Sequence, residues 1–162
     1  MITNKFKNFS ISYFGKGESV PEKGDFIIKT NSGVTLFFAK NGKFIKGASY
    51  SQDDLLSEKL TADLNNIDAD EAIFGPSFGF SFNPVEASLL EDLLSKGYRL
   101  CCKKTNGVNY LDLPLLAYEQ LINKGYKPNN IHLSDIDIME DENFYCDKKG
   151  DKELNTCVVS SL

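Results

Sequence analysis

Apolar and polar positions alternate with a period near two over much of the first fifty residues, and with a period near 3.6 over three later stretches. Phe6 to Phe14 (FKNFSISYF), Asp25 to Thr30 (DFIIKT), Val34 to Ala39 (VTLFFA) and Lys43 to Tyr50 (KFIKGASY) predict short strands. The connections between them, GKGESVPEKG, Asn31-Ser32-Gly33 and Lys40-Asn41-Gly42, are too polar and glycine-rich to pack. Asn41-Gly42 is a strong hairpin signal, because a type I′ turn needs two residues that tolerate positive φ. Ser51 then predicts a helix cap for Gln52 to Leu64, with Asp53 and Asp54 facing the positive end of the dipole and Leu55, Leu56, Leu60 and Leu64 on one stripe.

The chain is organised around Ala72 to Gly97. A short apolar strand leads to Gly75-Pro76-Ser77-Phe78-Gly79, where two glycines around a proline predict a sharp reversal, with the glycines either letting elements pack closely or leaving a backbone that can cradle an anion. An aromatic segment follows, and Asn83 is placed to cap a helix whose first residue is Pro84 and which Gly97 ends. Tyr98 to Lys103 and Val108 to Leu111 predict strands around Thr105-Asn106-Gly107. Asp112 precedes a helix from Leu113 or Pro114 to Lys124, closed by Gly125. The words LLSKGY (93–98) and LINKGY (121–126) share one form, helix end followed by lysine, glycine and tyrosine. Ile131 to Leu133, Phe144 to Cys146 and Thr156 to Val159 predict the last strands, around an acidic loop and a charged turn. Strands outnumber helices and several are joined by hairpins, which points to an α+β class with a largely antiparallel or mixed sheet.

Composition narrows the function classes. The 162 residues are expected to form one domain. With 18 basic against 23 acidic residues the net charge is −5, which disfavours nucleic acid held through its phosphates. No apolar run approaches the roughly 20 residues of a membrane span, and the N-terminus lacks a signal-peptide core, so the expected compartment is cytoplasmic. The four cysteines show no CxxC spacing and are expected as free, small buried side chains. His132 is the single histidine, expected in a structural or surface role.

The order of several words is more specific than any one of them. Gly75-Pro76-Ser77-Phe78-Gly79 with Val85, Tyr110-Leu111-Asp112-Leu113 opening a helix, Gly125-Tyr126 leading to Ile131 and Asp135, and Phe144-Tyr145 before Lys148-Lys149 together resemble the C-terminal half of the YfiH, or laccase-domain, family. The resemblance spans about residues 24 to 157. Family members were named multicopper polyphenol oxidoreductases and are also described as zinc-dependent purine nucleoside phosphorylases with adenosine deaminase activity. The resemblance implies an αββα layered fold of the CNF/YfiH-like type, shared with certain cysteine-type deamidases, in a domain truncated at its N-terminus relative to the family.

It also implies which ligands are replaced. Where the family carries a cysteine and a histidine as metal ligands, the alignment through Leu36-Phe37 and Gly42 places Ser32 and Ser49. Asp137 stands where the family usually has a cysteine, and Pro84 where it has a glutamate. Serine hydroxyls are poor zinc ligands, so neither zinc nor copper is expected as a cofactor. Three readings remain open: a binding or interaction module without metal-dependent catalysis; a residual phosphorylase or deaminase whose pocket is formed by Ser32, Ser49, Gly75, Pro76 and Gly79; and a cysteine hydrolase using Cys146 with His132 as its base. The expected partners are a small molecule such as a nucleoside or phosphate, with a protein partner or homodimer as a further possibility.

Overall fold

The computed structural model describes residues 1–79 and 83–162; the expected aromatic segment at 80–82 lies outside the described residues. Strands β1 (Ile2–Lys5), β2 (Phe9–Phe14), β3 (Phe26–Thr30) and β10 (Asn155–Ser161) form an antiparallel sheet in the order β1-β2-β10-β3. The single strand expected over Phe6 to Phe14 is therefore only its second half. Phe6 N–H donates to Phe9 O at 2.8 Å, so the polar pair Lys7-Asn8 turns the chain and the segment before it becomes an edge strand.

A second sheet has the order β5-β4-β6-β9, from β4 (Val34–Lys40), β5 (Lys43–Tyr50), β6 (Glu71–Phe74) and β9 (Ile131–His132). Asn41 (φ 51°) and Gly42 (φ 78°) make the expected tight turn between β4 and β5. β6 pairs antiparallel to β4 but parallel to β9, which makes the sheet mixed. A third, two-stranded piece joins β7 (Cys102–Thr105) to β8 (Val108–Leu111), again with paired positive φ at Asn106 and Gly107.

Alternation along β4 explains the layering. Phe37 faces the first sheet, with its ring 6.5 Å from Phe44, which in turn lies 5.3 Å from Phe26 and 6.0 Å from Phe9. Phe38 faces the other way, 6.3 Å from Tyr126 at the end of helix α4 (Leu113–Lys124). Every residue from Val34 to Ala39 is consequently buried. The outer face of the first sheet meets the loop before β3, where a Cβ on Gly24 would lie 2.5 Å from Val158.

The helix expected from Gln52 to Leu64 is two helices, α1 (Gln52–Leu56) and α2 (Lys59–Leu64). Ser51 caps the first in a reciprocal capping box with Asp54, as its position predicts. Glu58 then takes a left-handed conformation (φ 66°) and accepts a 2.8 Å bond from Tyr98 Oη, which breaks the run. Helix α3 (Ala87–Ser95) starts three residues later than expected, with Glu86 at its cap. Asn83 is not a cap, because its side chain is taken by β8: Nδ2 donates to Leu111 O at 3.0 Å and Pro84 bridges Tyr110.

Gly75-Pro76 is not a reversal either. Neither Gly75 nor Gly79 has positive φ, and the segment continues along β4 through Gly75 N to Thr35 O at 2.9 Å and Phe78 N to Gly33 O at 2.8 Å. The two KGY words owe their likeness to one helix-ending geometry. Gly97 and Gly125 both adopt positive φ, and Tyr98 and Tyr126 donate back to Leu93 and Leu121. Phe144 to Cys146 is not a strand but precedes a short 3-10 turn, Asp147–Lys149; Asn155 stands in for a ladder by bonding both N and O of Tyr145.

Candidate ligand cleft

Thr30 joins the two serines that the family resemblance singled out. Its Oγ1 lies 3.4 Å from Ser49 Oγ, donates to Ser32 O at 3.0 Å, and accepts from Ser32 N at 3.3 Å. β3 and β5, the edge strands of the two sheets, meet here, so Ser32 and Ser49 are brought into one hydroxyl-rich corner. Gly33 follows at φ 68°, with a Cβ there only 2.2 Å from Tyr50 O, so the chain can turn at this point only with glycine.

The corner opens into a cavity of about 370 Å³. Ser32 and Gly33 form one side. Ser51, Gln52 and Asp53 come from the start of α1, and Asp147 and Lys148 from the loop before β10. That loop is tied down by Asp147 N to Asn31 O at 2.9 Å and by Asn31 Nδ2 to the carbonyls of Asp151 and Glu153 at 3.1 Å. Phe78, Pro84 and Leu113 supply an apolar wall. Asn83 lies beside them, 7 % exposed, with its amide orientation fixed: Nδ2 donates to Gln52 Oε1 and to Leu111 O, each at 3.0 Å. Oδ1 has no donor among the described residues, and Gln52, whose Oε1 accepts from Asn83, lines the same cavity.

The other expected site residues sit elsewhere. Gly75 and Pro76 run beside β4, and Gly79 packs against a carboxylate: a Cβ there would lie 2.1 Å from Asp137 Oδ2. The space foreseen for an anion at this glycine is filled by an acid of the chain itself. His132 Nε2 is bonded to Glu71 Oε2 at 2.7 Å, and its ring lies edge-on to Phe6. Cys146 is fully buried, with Sγ 3.9 Å from both Met139 Sδ and Asp147 Oδ1; burial pushes its thiol pKa up. Neither residue is among the other's hydrogen-bond partners. All four cysteines are free.

No family model matches the chain, and no curated protein matches it. Solved structures do. The hypothetical protein YfiH of Bacillus licheniformis superposes with a TM-score of 0.67 at 12 % identity, over 83 % of this chain and 56 % of that one. The chain has a YfiH-type fold. YlmD from Geobacillus stearothermophilus gives a TM-score of 0.68 at 16 % identity, with the same shares of the two chains. Neisseria meningitidis protein NMB0706, described as DUF152, gives 0.68 at 14 % identity over 83 % and 59 %. The matched part of this chain thus spans a little over half the length of each YfiH-type structure. Among the described residues, no group of three or more His, Cys, Asp or Glu side chains is arranged to hold a metal ion, and no helix is long and apolar enough to cross a membrane.

Sequence reasoning missed Asn83 as a cleft residue, because the Asn-Pro pair also fits a helix cap. It missed Gln52, Asp53, Asp147 and Lys148 because nothing local marks residues that converge only through the tertiary fold. The one available signal was Ser51: a capped helix start directly after a strand places its first turn beside the strand end.

Proposed function

We propose that this chain is a small-molecule-binding domain without metal-dependent catalysis, in which the cleft beside Ser32 takes a nucleoside. The observation that carries this reading is Asn83: an amide in the cleft wall whose hydrogens are both committed and whose oxygen accepts from no donor among the described residues. An apolar wall of Phe78, Pro84 and Leu113 suits the face of a flat base, and Gln52 and Asn83 offer the paired donor and acceptor that a base edge needs. Asp53 and Asp147 against the one lysine, Lys148, disfavour a phosphate as the main ligand and suit sugar hydroxyls.

The zinc of intact family members does not fit the donor set. Ser32, Ser49 and Thr30 offer neutral hydroxyls, Asp53 and Asp147 are the cleft's two carboxylates with no thiolate or imidazole beside them, and His132 is engaged by Glu71, whereas a zinc site draws three or more ligands from thiolate, imidazole and carboxylate. Isothermal titration of the intact protein with adenosine, inosine and inorganic phosphate tests the reading. The expected outcome is saturable binding of at least one nucleoside, weakened in Gln52→Ala, with phosphate weaker or absent. No nucleoside binding at millimolar concentration, or a heat signal unchanged in Gln52→Ala, overturns it.

A further inference from the structure

Two Asn-Gly pairs form hairpin tips of one geometry, and the fold holds them very differently. Asn41 (φ 51°) and Gly42 (φ 78°) close the hairpin of β4 and β5, and Asn106 (φ 51°) and Gly107 (φ 78°) close that of β7 and β8. β4 is buried from Val34 to Ala39 and paired on both sides, with β5 and with β6. Its tip is clamped: Asn8 Nδ2 donates to Gly42 O at 3.2 Å, and the Lys7 side chain lies 3.3 Å from where a Gly42 Cβ would stand. β7 and β8 form only a two-stranded piece. Residues 104 to 108 are all exposed, and nothing lies within 4 Å of the Gly107 Cβ position. A two-stranded hairpin is marginally stable in water, so this tip opens at the lower cost.

An asparagine followed by glycine carries its own electrophile and nucleophile. The glycine nitrogen, on losing its proton, attacks the asparagine Cγ, and no side chain on the glycine blocks the approach. An N–Cγ bond forms, the bond from Cγ to the amide nitrogen breaks, and ammonia leaves a five-membered succinimide. Water then adds to either ring carbonyl and breaks its bond to the ring nitrogen, giving aspartate or iso-aspartate. One water enters and one ammonia leaves, with no oxidant or cofactor. Ring closure needs Cβ and the glycine nitrogen eclipsed about the Cα–C bond, whereas a left-handed turn residue holds them on opposite sides of it. The tip must open before it reacts, and the cost of opening sets the rate.

We propose that Asn106 is a spontaneous modification site, deamidating through Gly107 in the folded protein while Asn41 is protected. The consequence reaches the wall of the ligand cleft. Iso-aspartate routes the main chain through Cγ and lengthens it by one methylene, so the pairing of Thr105 with Val108 is lost. β8 is what holds Asn83 and its neighbours: Leu111 N donates to Asn83 O at 3.1 Å, Asn83 Nδ2 donates to Leu111 O at 3.0 Å, and Val85 N donates to Asn109 O at 2.9 Å. The inference goes beyond the nucleoside reading and stands without it.

The test is peptide mapping by mass spectrometry of the intact protein aged at mildly alkaline pH, beside a sample aged unfolded in urea. In the folded protein Asn106 is expected to convert at least about tenfold faster than Asn41, the ratio that about 1.4 kcal/mol of lower opening cost gives. In urea the two rates are expected to converge. The product is expected to be a mixture of iso-aspartate and aspartate, because the ring opens at both carbonyls. In the converted protein the Leu111 and Val85 amides are expected to exchange faster with solvent deuterium. Freshly purified Asn106→Asp carries the new charge without the longer backbone and is expected to exchange there as the wild type does. Asn106 left intact in the folded protein, Asn41 converting as fast in that state, or aspartate as the sole product overturns the proposal. Unchanged exchange after conversion, or equal loosening in Asn106→Asp, overturns the link through β8 to Asn83.

Discussion

Replacing Gly33 by alanine perturbs the floor of the ligand cleft at one atom. The new Cβ would lie 2.2 Å from Tyr50 O, 3.0 Å from Tyr50 C and 3.2 Å from Ser51 Cα, all backbone atoms with little freedom to move. Two costs add. Holding an L-residue at φ 68° costs about 1–2 kcal/mol, and displacing packed backbone costs about 1–3 kcal/mol more. Alanine also stiffens the unfolded chain, which returns about 0.4–1 kcal/mol. The net expectation is a loss of about 2–4 kcal/mol, a large part of the roughly 5–15 kcal/mol that such a domain has. Gly97 is the internal control, because it has φ 91° but nothing within 4 Å of its Cβ position. Gly97→Ala therefore carries only the backbone cost, about 1 kcal/mol. The assay is urea unfolding followed by circular dichroism. With a slope of about 1–3 kcal/mol per molar urea, Gly33→Ala is expected to lower the midpoint by about 1–2 M and Gly97→Ala by well under half of that. Equal shifts for the two variants, or a Gly33→Ala midpoint within about 0.3 M of wild type, would refute the steric reasoning.

Thiol labelling with a disulfide reagent is expected to show Cys102, the one partly exposed cysteine, reacting ahead of Cys101, Cys146 and Cys157, with all four reacting after denaturation. Rapid labelling of Cys146 would contradict the burial argument and revive a thiol-based activity. For Asp112 the folded pKa is raised, mainly by burial, so the native state holds its proton more tightly than the unfolded chain. Stability from this group is present at acid pH and is lost as pH rises from the unfolded carboxylate range through the folded value. Asp112→Asn keeps the cap to Leu115 and removes that loss, so its urea midpoint relative to wild type is expected to climb across the same pH window. A constant difference between the two proteins at all pH values counts against it.

Much of the fold is legible because its signals are local. Asn41-Gly42 and Asn106-Gly107 dictate their hairpins by backbone stereochemistry, and Ser51, Asp112, Gly97 and Gly125 dictate helix ends. Expectations failed where tertiary partners overrode local preference. Asn83-Pro84 would cap a helix in isolation, but β8 offers Asn83 a carbonyl and an amide, and the helix starts later. The run from Gln52 to Leu64 has helical periodicity throughout, yet Tyr98 holds Glu58 in the left-handed region. Gly75-Pro76 suits a turn, but Gly75 is small for another reason: a Cβ there would meet Phe37 at 3.3 Å. The site was half legible. The family resemblance singled out Ser32 and Ser49, and Thr30 lies between them, bonded to the Ser32 backbone and beside the Ser49 hydroxyl. Asn83 and Asp147 lie far along the chain from Ser32 and reach the same cleft only once the sheets are assembled, so no local pattern marks them. Asp137 comes to Gly79 in the same way, through a contact between loops that are distant in sequence.

Ligand binding by this YfiH-type scaffold without a catalytic metal is decided by elemental analysis of protein purified from zinc-supplemented growth, with adenosine turnover measured on the same sample. The expected result is zinc far below one ion per chain and no phosphorolysis or deamination of adenosine. Stoichiometric zinc together with metal-dependent turnover would show instead a metalloenzyme.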